Sequence, residues 1–275
     1  MQLEALPPAG KGDAALGANR RGEGDTTEDQ LFRGTLLLRQ PARGHRAGTD
    51  AVLLAAAAPG EARHILDLGA STGMVGLQVA KGRPESRAML LERDPAMAAL
   101  ARHNIAANGL ADRVSCREAD AFALGREKDL REAFDLVLTN PPYFTRGRGR
   151  ASPDAGRRAA HELDGDLDGW LRNAATVLAP GGGIVMIHRA DSLGDVLAAM
   201  ARRFGGLTLR FIHPRAAEPA HRLLVSGIKG SRQGLTILPP LVLFEGDRPT
   251  ALSAALHDGL ALLPMRPGQH QAQQG

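Results

Sequence analysis

From His64 onward, short apolar runs alternate with amphipathic segments of helical period, and this alternation restricts the fold more than any other feature of the chain. His64 to Leu68, Ala88 to Leu91, Val114 to Glu118, Phe134 to Thr139 and Gly183 to His188 read as strands buried on both faces. Between them, Pro95 to Asn108 has proline in its first turn and meets Gly109 at its end, the pattern of a complete helix. Asp166 to Leu178, stopped by Pro180-Gly181-Gly182-Gly183, reads as a second helix, and Ser192 to Phe204 as a third. Parallel strands need crossover connections, so the expected class is α/β, a Rossmann-like parallel sheet with helices on both faces. Leu207 to Ile212 and Arg222 to Ile228 have no helix between them and read as a closing C-terminal antiparallel hairpin. Upstream, Leu31 to Gln40 reads as a strand or hairpin, and Thr49 to Leu54 as the start of a short helix capped by Thr49 or Asp50.

With 275 residues and 43% hydrophobic content, the chain can bury one substantial core. Residues 1–28 and 266–275 are glycine-rich or polar without apolar period and are expected to be disordered, which leaves residues 29–265 as one domain. The single cysteine, Cys116, rules out an intramolecular disulfide and a cysteine-based zinc cluster; it is expected to be a small buried hydrophobe in a reducing, cytoplasmic compartment. The longest apolar run, Ala51 to Pro59, is too short to cross a bilayer, and no signal-peptide core is expected. His45, His161, His188 and His213 fall in separate elements, so no metal site is expected, and Trp170 reads as core.

The fourth strand ends at Asn140-Pro141-Pro142-Tyr143. Two prolines lack the N–H a central strand needs, and the residue before a proline is held extended, so the Asn140 amide is aimed by backbone geometry. Rigid acceptors of this kind suit a planar amino group conjugated to a ring. Taking both of its hydrogens draws the nitrogen toward a tetrahedral nucleophile, and Tyr143 can stack on the ring. Asn-Pro-Pro also serves as a plain loop starter with Tyr143 as a core aromatic. The context separates the two, because Ile65 to Gly73 reads as a nucleotide-binding turn built on Gly69 and Gly73.

That turn departs from a dinucleotide loop, since Ser71 stands where a middle glycine is wanted. Asp67, at the strand end before it, repels pyrophosphate and suits a ligand with a positive amino group. Glu92 ends the second strand, where a carboxylate accepts both hydroxyls of a ribose; pairing with Arg93 or Arg87 is the plainer alternative. Asp120, followed by Ala121, ends the third strand, where it can accept from the amino group of an adenine or cap a helix. Amine, ribose and adenine acceptors along one sheet edge match S-adenosyl-L-methionine. An NAD-dependent oxidoreductase fits less well, because no hydride-transfer acid or base lies beside the turn.

With these residues in hand, the chain resembles the class I methyltransferases that modify exocyclic or amide nitrogens, and within them the bacterial tRNA adenine-N6 methyltransferases acting on a valine tRNA anticodon loop. The similarity runs from about Leu31 to about Pro264 and includes Gly48-Thr49-Asp50, Ala159-Ala160-His161-Glu162, His213-Pro214-Arg215 and Leu238-Pro239-Pro240-Leu241. The resemblance implies a seven-stranded sheet, S-adenosyl-L-methionine as donor, and Asn140, Pro141, Pro142 and Tyr143 gripping the target amine. It maps the cofactor onto Asp67, Gly69, Ser71, Gly73, Glu92, Asp120, Ala121 and Asn140, with Thr49 and Asp50 toward its methionine end. Ser71 in place of a glycine and Ala160 in place of an arginine are departures. Net charge is +4, and between Thr145 and Ala160 stand Arg146, Arg148, Arg150, Arg157 and Arg158 against Asp154 alone. That cluster, with His161, is expected to meet RNA phosphates, although a solvated glycine-rich loop is the plainer reading. RNA, and tRNA in particular, is the expected partner of a monomer or weak homodimer. A release-factor glutamine amide, a ribosomal guanine amine and a non-catalytic RNA-binding protein on the same fold are the rival readings.

Overall fold

The structure, a computed structural model, describes residues 19–21, 25–44, 46–142, 144 and 166–265. β1 (Asn19–Arg21), β2 (Thr26–Leu31) and β3 (Leu36–Pro41) form a small antiparallel sheet of their own, in the order β1-β2-β3. Its tight turn places Phe32, Arg33 and Gly34 at φ of 51°, 57° and 83°. Of the strand or hairpin expected over Leu31 to Gln40 the structure has a hairpin, which begins earlier, and two strands enter the stretch through residue 28 that composition marked as disordered. Alternate burial along β2, with Thr27 and Asp29 inward, is what holds it.

α1 (Thr49–Ala56) has Gly48 at its N-cap position, so neither Thr49 nor Asp50 is the cap. Then come β4 (His64–Leu68), α2 (Met74–Lys81), β5 (Arg87–Glu92), α3 (Pro95–Ala107), β6 (Val114–Glu118) and β7 (Phe134–Thr139). α4 (Leu167–Val177), β8 (Leu178–Arg189), α5 (Leu193–Met200), β9 (Phe204–His213) and β10 (Arg222–Lys229) follow. Spatial order is β6-β5-β4-β7-β8-β10-β9, parallel throughout except for β10, which runs antiparallel to both neighbours. Two short strands, β11 (Thr236–Ile237) and β12 (Leu241–Val242), extend the β9 edge to make nine in all. Strand order reverses between β4 and β7, which opens a crevice at their carboxyl ends.

Side chains alternate between two cores. Ile65, Leu90, Leu136, Leu138, Val185 and Leu224 face α1, α2, α3 and α6 (Ala251–His257). Leu66, Leu68, Val137, Ile184, Met186 and Leu223 face α4 and α5. Two boundaries differ from the periodicity. β8 begins at Leu178, and Ala179 to Gly182 bulge out between the pairs Phe134↔Leu178 and Leu136↔Gly183, so the proline-glycine run interrupts a strand rather than preceding one. α5 ends at Met200 because Phe204, buried, already pairs with Lys229 in the sheet. Cys116 is half-buried, its thiol 3.7 Å from the Ala98 carbonyl, and burial raises its pKa.

Candidate active site

The turn between β4 and α2 is built by backbone bonds. The Gly69 and Ala70 N–H groups both donate to the Leu91 carbonyl, at 2.9 and 3.0 Å, and the Gly73 N–H donates to Ala70, at 2.8 Å. Gly69 and Gly73 sit at φ of 76° and 87°, where a Cβ is strained, and Ser71 takes the same left-handed region at 51°. A Cβ on Gly69 would come within 3.2 Å of the Trp170 ring; on Gly73 it would meet Leu90 at 2.6 Å. Trp170 is core, as expected, and braces the turn from below. Its indole N–H donates to the Thr139 hydroxyl at 3.0 Å, and that hydroxyl donates to the Leu68 carbonyl at 2.9 Å.

Three carboxylates occupy three neighbouring strand ends. Asp67 is 2% exposed, accepts the Gly76 N–H at 2.8 Å, and has its pKa raised to about 7 by burial and by the negative charge of Glu92. Burying a carboxylate this far is costly unless a cation arrives to meet it. Glu92 is oriented by two backbone amides, Ser71 N–H on Oε2 and Asp94 N–H on Oε1, both at 2.8 Å, and not by Arg87 or Arg93. Asp120 is exposed and accepts the Phe122 N–H at 2.9 Å, so it caps the 3-10 turn Ala121–Arg126. The capping bond uses Oδ1; Ala121 is buried beside it.

Leu68 pairs with Thr139 across β4 and β7, so Gly69 and Asn140 leave the sheet side by side. A cleft of about 290 Å³ opens there, lined by Asp67, Gly69, Ser71 and Asn140 and, on the opposite wall, by Thr49 and Asp50. The pocket brings the glycine turn and the end of β7 to one surface. Thr49 reaches His257 at 3.3 Å, while Asp50 takes the Arg222 guanidinium at 2.9 and 3.1 Å. Gly73 and Glu92 stand behind this lining and shape the turn, and Pro141 is buried beside Asn140. Phe144 joins Phe122 and Trp170 in an aromatic cluster, with ring centroids 5.8 to 6.2 Å apart, which anchors the chain just past the tetrapeptide. Tyr143, Arg146, Arg148, Arg150, Arg157, Arg158 and His161 lie outside the described residues.

Sequence reasoning missed three cleft residues, Arg46, His221 and Arg222. Burial lowers the His221 pKa, assisted by Arg222, which favours the neutral ring. A signal for Arg222 existed. In an antiparallel closing strand the first residue lands at the carboxyl ends of the parallel ones, which is where ligands bind. Among the described residues there is no group of three or more His, Cys, Asp or Glu placed to hold a metal ion, and no helix long and apolar enough to cross a membrane.

Residues 46–210 match the family model of the methyltransferase small domain. The chain belongs to the methyltransferase small domain family. Its family match takes in the Arg46–Asp50 wall, the glycine turn and Asn140, and stops within β9, so Arg222 and His221 lie beyond it. A tRNA1(Val) (adenine(37)-N6)-methyltransferase of Porphyromonas gingivalis is 33% identical over 180 residues, covering 63% of this chain and 68% of the relative. The protein of that name from Shewanella loihica is 34% identical over 191 residues, covering 66% and 77%. Among solved structures, a predicted O-methyltransferase from Agrobacterium tumefaciens is 34% identical and superimposes with a TM-score of 0.65, over 78% of this chain and 98% of that one. The fold is thus that of a methyltransferase.

Proposed function

We propose that this methyltransferase transfers a methyl group from S-adenosyl-L-methionine to the exocyclic N6 amine of an adenine in RNA, with adenine 37 of a valine tRNA, the position named for its relatives, as target. The observation that carries this reading is the meeting of Asn140 with the Asp67–Thr72 turn on one cleft. When bound, S-adenosyl-L-methionine supplies a methyl group activated by a sulfonium. Cleft and strand-end residues fit it: Asp67, a buried carboxylate of the cleft, for the methionine ammonium; Glu92, preset by two amides behind the cleft lining, for the ribose hydroxyls; Asp120 beside Ala121, past the end of β6, for the adenine edge. Thr49 and Asp50 form the far wall at the methionine end.

Asn140 and the Pro141 carbonyl accept the two amino hydrogens of the target base. This localises the nitrogen lone pair and holds it in line for transfer, so most of the acceleration comes from positioning in a site shielded from water. The proton is lost from an already acidified ammonium, and no strong base is required. Tyr143 is assigned to stack on the base, and Arg146, Arg148, Arg150, Arg157, Arg158 and His161 to contact the phosphates of an unpaired loop, where splaying out a base costs little. The enzyme is proposed to act in the cytoplasm as a monomer or weak homodimer, with the domain of residues 29–265 as its catalytic unit together with the strands that precede it.

The test is to incubate the purified protein with tritiated S-adenosyl-L-methionine and, separately, total tRNA, ribosomal RNA or protein extract, then digest and identify the labelled product. Label in N6-methyladenosine from tRNA supports the assignment. Label confined to a glutamine-containing peptide or to guanosine overturns the choice of acceptor.

A further inference from the structure

The small N-terminal sheet is fastened to both banks of the cofactor cleft. On one bank, the outer edge of β3 is paired by side chains of α3 instead of by another strand. Asn104 accepts the Arg39 N–H at 2.7 Å and donates to the Arg39 carbonyl at 2.9 Å. Asn108 accepts the Leu37 N–H at 3.0 Å and donates to the Leu37 carbonyl at 2.7 Å. The two amides imitate a strand, and the spacing allows it: four helical residues rise about 6 Å and two strand residues about 6.6 Å. Asn104, fully buried, also donates to the Thr72 carbonyl at 2.9 Å, inside the glycine turn between Ser71 and Gly73. Asn108 makes no bond to that turn among the described residues and instead meets Lys81, at 3.2 Å, and the Asn104 carbonyl, at 2.8 Å.

On the other bank, Arg46 donates to Thr27 at 2.7 Å, to the Pro41 carbonyl at 2.8 Å and to the buried Asp29 carboxylate at 2.6 Å. Gln40 donates to the same carboxylate and accepts the Ala47 N–H at 2.9 Å. Arg46 and Ala47 begin the wall that continues through Thr49 and Asp50. The sheet thus holds the lead-in wall by a charge-assisted network and the glycine turn by a single buried amide.

We propose that the N-terminal sheet is a clamp that sets the width of the cofactor cleft, and that Asn104 is its positioning residue, holding the Thr72 carbonyl so that Ser71 and Gly73 keep their left-handed conformations. The clamp rests on the cofactor reading above only for the identity of the ligand. Asn104 touches no reacting atom and acts through the turn.

Asn104→Ala and Asn108→Ala separate the clamp from plain stability, since each strips one pair of bonds from β3 and only Asn104 reaches the turn. Titration calorimetry with S-adenosylhomocysteine should show about tenfold weaker binding for Asn104→Ala, the loss of one buried hydrogen bond, and a near-unchanged Kd for Asn108→Ala. Hydrogen exchange of the ligand-free proteins should be faster at the Ser71 to Gly73 amides in Asn104→Ala alone. Should Asn104→Ala not fold, Asn104→Ser is measured by the same two methods. Equal affinity and equal exchange in the Asn104 and Asn108 variants overturn the clamp. If the wild-type protein binds no S-adenosylhomocysteine, the cofactor reading fails while the exchange comparison still decides the clamp: faster turn exchange in the Asn104 variant alone supports it, and equal exchange overturns it.

Discussion

At the scale of single residues, Asn140 and Asp67 carry separable duties. On the proposed function, replacing Asn140 with Ala removes an acceptor whose bond strengthens as the amine becomes tetrahedral. The expected result is a fall in kcat on the order of 10²- to 10³-fold with little change in cofactor affinity, read from single-turnover methylation beside calorimetry. Comparable losses in kcat and in binding would place Asn140 in cofactor binding instead. Asp67 gives a pH signature. Its pKa is raised from 3.8 to about 7 in the ligand-free fold, so the stability it contributes is present below pH 3.8 and is lost as pH rises through 7. The melting temperature of the wild-type protein relative to Asp67→Asn should therefore decline between pH 4 and 7. Cofactor affinity should run the other way, rising toward pH 7 as the carboxylate ionises to meet the ammonium, and should be weak and flat with pH in Asp67→Asn. These two residues were legible in the sequence because chain-local chemistry marks them: a double proline after one, a glycine turn after the other. Arg222 and Asn104 were not, since their partners Asp50 and Thr72 are distant in the chain and only the closed sheet brings each pair together.

At the scale of elements, the end of β7 is positioned by the chain of bonds from Trp170 on α4 through Thr139 to the Leu68 carbonyl on β4. Trp170→Phe breaks its first link and leaves space against Gly69. A loss of about 1 to 3 kcal/mol in urea unfolding is expected, and an unchanged midpoint would show that the link carries no weight. Strand and helix identities followed from period and punctuation; β4, β6 and β7 begin and end as read. The boundaries that moved did so where tertiary pairing overrides local preference. Ala179 to Gly182 bulge within β8 because Leu178 still finds Phe134 across the sheet, and Phe204 leaves the helical pattern for β9. Thr49 and Asp50 resemble helix caps, yet Gly48 occupies the cap position while their side chains reach His257 and Arg222.

At the scale of the whole molecule, the order β6-β5-β4-β7 lays Asp120, Glu92, Asp67 and Asn140 along one rim, in the order that the proposed function assigns to adenine, ribose, amine and acceptor. The alternating pattern from His64 placed these residues at strand ends on one edge of a parallel sheet, while the spatial order of the strands came from the structure. The N-terminal sheet was only half legible: Leu31 to Gln40 read as a strand or hairpin, but a docking edge made from two asparagines on a helix has no local mark. On the proposed function a cofactor lies along this rim with its transferable methyl facing Asn140, and a crystal structure of the protein with S-adenosylhomocysteine shows whether it does. Ribose hydroxyls are expected about 3 Å from the Glu92 carboxylate, with the amino group against Asp67 and the sulfur opening toward Asn140. A ligand whose sulfur faces away from the end of β7, or one seated outside the Asp67–Asn140 cleft, would contradict it.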